Sequence, residues 1–189
     1  MKKKYIISFL IAGMFCRSQV VIGDNPAALT NSSVSLEFKN GENRGLVVPW
    51  VTSATNVTGA VGGTIVFDIS DKIFKYYKEN PTAWVALSKN ENTIIASTSV
   101  DTTGTVDTSL QGENVTEKSD AKAMIGGNPA NNNTPGVLVL GDPDKAMILP
   151  KVASPHLNIK NPATGMMVYD TSTDQLCIFN GKVWAFWKP

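Results

Sequence analysis

Cysteine and histidine are nearly absent from this chain, which has two of the first and one of the second among 189 residues. So few leave no set of soft ligands for a structural zinc site. The usual serine triad has one candidate base, His156, which follows Ser154 and Pro155 and has no carboxylate or oxyanion-hole signal around it. An excess of charge is missing too: 17 basic side chains stand against 16 acidic ones, a net charge of +1. That excludes the dense basic face that nucleic-acid recognition requires. No apolar run reaches the roughly 20 residues needed to cross a bilayer as a helix.

What the chain does have begins at its start. Lys2, Lys3 and Lys4 precede an apolar run from Tyr5 to Phe15, and Cys16 and Ser18 then occupy the −3 and −1 positions of a small-residue cleavage site. This pattern predicts a signal peptide over residues 1–18, a mature chain from Gln19, and an exported protein, extracellular or on the cell surface. Lipoprotein anchoring through Cys16 is not expected, because Phe15 and Gly13 stand where lipidation wants a small residue and a leucine. Without residues 1–18, thirteen basic side chains face sixteen acidic ones, a net charge of −3. Cys177 is then the one remaining cysteine, so no internal disulfide can form and the fold must rest on core burial.

The chain repeats itself. "IGDNPA" (Ile22 to Ala27) returns as "IGGNPA" (Ile125 to Ala130), and the match continues downstream. "VSLEF" at 34–38 meets "GVLVL" at 136–140, and "NRGLVVPWV" at 43–51 meets "DKAMILPKV" at 144–152. "GGTIVFD" at 62–68 meets "TGMMVYD" at 164–170, and Trp84 answers Trp184. The offset stays between 103 and 100 throughout, which implies two copies of one frame with small loop insertions. Boundaries follow: module 1 over 19–88, a Ser/Thr-rich spacer over 89–123 and module 2 over 124–189.

Short segments rich in Val, Ile and aromatics, punctuated by Gly, Pro, Asn and Asp, predict strands. The fold class is mainly β: two tandem, related small β modules joined by the spacer. Asn180-Gly181 between apolar runs predicts a two-residue hairpin turn, and its partner segment from Phe74 a hairpin with a longer loop at Asn80 and Pro81. Pro49 and Pro150 each follow three apolar residues and should end a central strand or lie on an edge, since proline donates no backbone hydrogen bond. The spacer has no aromatic residue and cannot build a core. Its "TIIASTSV" (93–100) and "TVDTSL" (105–110) are candidates to pair as a hairpin.

The motifs that mimic sites read better as structure. "GDPD" (141–144) and "DTTGTVD" (101–107) lack the alternating ligands and terminal Glu of a calcium loop, so turns explain them. "GAVGGT" (59–64) lacks the Lys-Ser/Thr of a phosphate loop. Cys177 aligns with Lys75 and reads as a packing or partly exposed residue. No catalytic, metal or cofactor site is expected. Trp84 and Trp184, placed alike in both copies, are expected to be structural, as are Pro49 and Pro150. Trp50, which faces Lys151 in the alignment, and Trp187 are the ligand-contact candidates.

The order IG.NP, then (K/R)G-hydrophobic-P, then "NPATGMMVYD" (161–170) and "FNGKVW" (179–184) resembles modules of exported bacterial cell-surface proteins and phage tail-fibre-like proteins. Copy two carries the last two motifs nearly as those modules write them, and copy one carries "NRGLVVP" (43–49) better. Ala146 departs from the glycine they prefer. The resemblance implies a β-rich, non-enzymatic module of surface, stalk or adhesive proteins, sometimes oligomeric. The expected function is therefore that of an exported structural or adhesive protein, with a second copy of the chain or a surface or envelope partner. The alternative is a carbohydrate-binding protein that stacks a glycan on its exposed aromatics.

Overall fold

The structure, a computed structural model, describes residues 19–23, 30–39, 43–89, 92–95, 98–101, 103–106, 121–128 and 130–188. The predicted signal peptide, Cys16, the Asn-Pro of the first repeated phrase and Pro129 of the second lie outside these residues. The chain is mainly β, as its strand-like segments predict. The first half runs through β1 (Val20–Ile22), β2 (Val34–Phe38), β3 (Leu46–Val47), β4 (Trp50–Val51), β5 (Ile65–Asp68), β6 (Ile73–Glu79) and β7 (Thr82–Ala86). After β8 (Asn92–Ile95) and β9 (Thr98–Asp101), the second half adds β10 (Ala123–Ile125), β11 (Leu138–Leu140), β12 (Ala146–Ile148), β13 (Lys151–Val152), β14 (Met166–Asp170), β15 (Gln175–Phe179) and β16 (Trp184–Trp187).

The two halves pair their strands in the same way. β4, β5, β6 and β7 form a sheet whose first pair is parallel and whose others are antiparallel. β13, β14, β15 and β16 repeat that pattern, with Lys151 opposite Tyr169 where Trp50 stands opposite Phe67. β1 lies parallel to β2 and β10 parallel to β11, each closed at its far end by a further bond, Lys39 N–H to the Ile22 carbonyl and Gly141 N–H to that of Ile125, both at 2.9 Å.

The third strand of each half does not stay with its own sheet. β3 lies antiparallel on the second half's β14, with Val47 opposite Met166 and Leu46 opposite Met167, and the Val48 N–H donates to the Gly165 carbonyl at 3.1 Å. β12 crosses in the other direction and lies parallel on the first half's β2, with Met147 opposite Leu36. Pro49 and Pro150 stand at the corners between these crossing strands and the sheets that follow. A residue without an N–H suits a corner because it leaves no donor stranded where the chain changes sheets. Each proline still accepts, from Phe67 N–H and Tyr169 N–H respectively, at 2.9 Å.

Alternation along a strand sends neighbouring side chains to opposite faces. In β5, Phe67 therefore turns from Val66 and, with Phe74 and Val48, meets Met167 and Ile178 of the second half in one buried cluster. A second cluster lies within the second half: Val152, Ile159, Met166, Val168, Cys177 and Phe179, with Trp184 packed against it. The first cluster joins the halves, so neither sheet has a complete core without the other.

The hairpin loops reverse the sequence expectation. Copy one has the two-residue loop: the ladder runs to Glu79 opposite Thr82, leaving only Asn80 and Pro81 to turn. Copy two stops its ladder at Phe179 opposite Trp184 and turns over Asn180–Val183. The reason is the Asn180 side chain, whose Oδ1 accepts from the Lys182 and Val183 N–H groups at 3.0 and 2.8 Å and builds a wider Asx-type turn. The extra residues of copy one lengthen its ladder instead of its loop. In the spacer, Asn92–Ile95 pairs with Thr98–Asp101, so the hairpin forms inside the first of the two expected segments. The second is drawn elsewhere: Thr105 donates its N–H to the Asn180 carbonyl at 3.1 Å, and Val106 packs on the joint core. Residues 107–120 lie outside the described residues.

Phe67 is fully buried in that joint core. Phe67→Ala should lower the unfolding free energy by about 3–5 kcal/mol in chemical denaturation. Leu157→Ala, at an exposed position, should change it by less than about 0.5 kcal/mol.

Candidate interaction surface

Two aspartates, Asp68 and Asp170, sit at equivalent places at the ends of β5 and β14, and both are buried. Asp68 accepts the Ala54 N–H at 2.8 Å, the Ser70 N–H at 2.9 Å and the Ser70 hydroxyl at 2.6 Å. Asp170 accepts the Ser154 N–H at 2.9 Å, the Ser172 N–H at 2.8 Å and the Thr173 hydroxyl at 2.9 Å. Each carboxylate thus ties the short helical turn after the corner strand (Ala54–Asn56 or Pro155–Asn158) to the turn after its own strand. Sequence reasoning aligned these aspartates without singling them out. The signal was present, because each Asp recurs with a serine two residues on, Ser70 and Ser172, whose N–H it accepts.

Burial by itself would raise the Asp68 carboxyl, but hydrogen bonds from Ser70, Lys75 and Ala54 outweigh it and bring it from 3.8 down to about 2. Asp170 is lowered in the same way, its burial outweighed by the Ser172 and Ser154 N–H groups and the Thr173 hydroxyl. Lys75 lies 2.9 Å from Asp68 and also pairs with Asp71. Cys177 takes the place of Lys75 in the second half and is fully buried. Burial and the charge of Asp170 push its thiol up to about 11, which leaves a packing residue without nucleophilic character at neutral pH. Glu37 on β2 is the third buried carboxylate among the described residues. Its burial is outweighed by Lys39 at 2.7 Å and by the hydroxyl and N–H of Thr30, which hold it at about 2.

The aromatic candidates divide. Trp84 and Trp184 are half-buried at the same rung of their sheets, Trp84 meeting Tyr77 edge-on and Trp184 meeting Phe179 at a tilt, with ring centroids 5.2 Å apart in both. Trp50 is half-buried at the joint core, its indole N–H donating to the Thr164 carbonyl across the halves at 2.9 Å. Gly165 lies under that ring with φ of 75°, where a Cβ would come within 3.0 Å of the indole nitrogen. Trp187 is 50% exposed at the end of β16, beside the exposed Phe186, whose ring meets His156 edge-on at 5.5 Å. Trp50 and Trp187 occupy different sheets, so the structure does not bring the two ligand candidates together.

Motifs that imitate binding loops are engaged by contacts within the chain. Asp142 of "GDPD" accepts the Gly127 N–H and pairs with Lys145 at 3.1 Å, and the Gly62 N–H of "GAVGGT" donates to Glu79 at 2.7 Å. Among the described residues no group of three or more His, Cys, Asp or Glu is placed to hold a metal ion. No helix among them is long and apolar enough to cross a membrane.

The buried carboxylates set a pH dependence. Their folded values lie below the ordinary range near 4, so between about pH 4 and 2 the unfolded chain takes up protons that the folded chain refuses. The stability they contribute is complete above that window and is lost as pH falls through it. Asp68→Asn/Asp170→Asn should lower stability at pH 7 by about 1–3 kcal/mol per site, since buried N–H groups lose an acceptor. The double variant should also show a flatter fall in unfolding free energy from pH 5 to pH 2 than the parent chain; an equal slope would remove these two groups from the account.

Comparison with known proteins adds one finding. Residues 125–188 match the model of a family described as the phage tail like trimerisation region. The match begins at the end of β10 and takes in every later strand. No curated protein and no solved structure matches the chain.

Proposed function

We propose that this chain is a non-enzymatic structural subunit of a trimeric, fibre-like assembly, built from two related β modules over 19–88 and 124–189 and exported to the cell surface. The observation that carries this reading is the match of residues 125–188 to a phage tail like trimerisation region. Three features support it. The halves join through strand pairing and a shared apolar cluster, the chemistry by which β subunits assemble. The buried carboxylates are taken up by turns and ion pairs, in keeping with a scaffold. The basic start and apolar run of residues 2–15 favour export. Contact with a surface or envelope partner would add an adhesive role. The exposed Trp187 and Phe186 favour a second reading, in which a glycan stacks on their faces.

Sedimentation equilibrium of residues 19–189 tests the proposal. A mass of three chains over a wide concentration range is expected, and a chain that stays monomeric at high concentration would overturn the trimeric reading.

A further inference from the structure

The halves are joined by a rule that the chain applies only once. The third strand of the first half adds antiparallel to β14 of the second, and the third strand of the second half adds parallel to β2 of the first. A contact of this kind uses two different surfaces and is therefore head-to-tail: it leaves the same two surfaces unused at the far sides. Those unused edges can be named. The edge of β5 away from β6 carries β4 beside Phe67 and Asp68, but among the described residues no strand covers that edge at Thr64 and Ile65, where Val47 and Leu46 cover the equivalent Met166 and Met167. Among the described residues β11 pairs with β10 alone, whereas its equivalent β2 is held between β1 and β12, and β3 and β12 each pair on one side only.

Exposure reports the same asymmetry independently. Ser35 and Leu36 on the covered β2 are 0% and 1% exposed, while their equivalents Val137 and Leu138 are 55% and 45% exposed. Met167 is buried beneath β3, while its equivalent Ile65 is only partly buried at the rim of the joint core. An apolar strand edge left bare in this way is a template for another strand.

We infer that a second copy of this chain fills these edges by the rule that joins the halves. Ala146–Ile148 of one copy adds antiparallel to Thr64–Ile65 of the next, placing Ile148 opposite Thr64 as Val47 stands opposite Met166. In the same contact, Leu46–Val47 of that next copy adds parallel to Leu138–Leu140 of the first. Both contacts continue a pairing already present inside the chain. With three copies the head-to-tail contact closes into a ring and leaves none of these named edges bare. This deepens the trimeric reading proposed above and rests on it.

The test is oxidation of Thr64→Cys/Ile148→Cys, in which Cys177 stays buried and unreactive. On a non-reducing gel, products of two and three covalently joined chains are expected, three being the largest, and neither single variant should give the three-chain product. Thiols that remain free, or products that continue past three chains, would overturn the inference. Leu138→Arg provides a second readout at an exposed position: it should raise the dissociation constant of the assembly about tenfold or more with an unchanged far-ultraviolet circular dichroism spectrum. An undiminished trimer would count against these edges. A parent chain that sediments as a trimer while both variants fail leaves the trimer standing and moves its interface elsewhere, whereas a monomeric parent removes both readings.

Discussion

The pairing of Leu46–Val47 with Met166–Met167 is the interaction on which the rest of the fold depends. It takes a strand out of the first half and makes it the fifth member of the second half's sheet. Once it is there, Pro49 must turn the chain back so that Trp50 and Val51 can join their own sheet, and Val48 is carried into the cluster with Phe67 and Met167. Gly45 fits beside β14 because it has no side chain; a Cβ there would come within 2.7 Å of Val168 and closer still to Met166. The return crossing by β12 locks the same arrangement from the other side. With Cys177 a free thiol, long-range closure comes from strands that each half lends to the other.

Around that crossing, local structure is held by polar groups in low-dielectric surroundings. Asp68 and Asp170 accept backbone N–H groups that no ladder could reach, and so convert two turns and a short helical segment into one rigid corner in each half. A buried carboxylate is costly unless its oxygens are filled, and here hydrogen bonds fill them in both copies. Serine and threonine partners serve Asp170, while Lys75 adds a charge to Asp68. The two solutions differ in detail and agree in geometry, so both halves keep the same corner where their sequences differ.

Much of this was legible in the sequence, and the exceptions have physical causes. Short segments rich in Val, Ile and aromatics and their Gly, Pro and Asn punctuation identified the strands, because each depends on neighbours within a few residues. The loops of the two hairpins were exchanged, because a short motif such as Asn180-Gly181 cannot reveal that the Asn side chain will bond two residues onward. Trp50 read as free because its counterpart is Lys151, yet it lies against Thr164 and Gly165 of the other half. Its role, like the crossing of β3 and β12, is set by partners more than ninety positions away. Periodicity carries no information about such distant register. Trp187, the other ligand candidate, is exposed as expected, and nothing in its surroundings names a ligand.

The bare edges and the crossing strands are two views of one design, in which a module completes itself only by giving and receiving a strand. That design is compatible with a fibre subunit, since head-to-tail contacts propagate or close without new surfaces. The claim underneath it is that Val47 and Met166 of a single chain are cross-strand neighbours. They form a non-hydrogen-bonded antiparallel pair, bracketed by the Val48 N–H to Gly165 carbonyl bond, with an expected Cα separation of about 4.5 Å. That spacing lies within the range a disulfide can bridge. Oxidation of Val47→Cys/Met166→Cys is therefore the most direct measurement. The account predicts a disulfide closed within one chain, seen as a faster-migrating single-chain species on a non-reducing denaturing gel. Free thiols in the folded protein, or a disulfide that joins one chain to another, would contradict it.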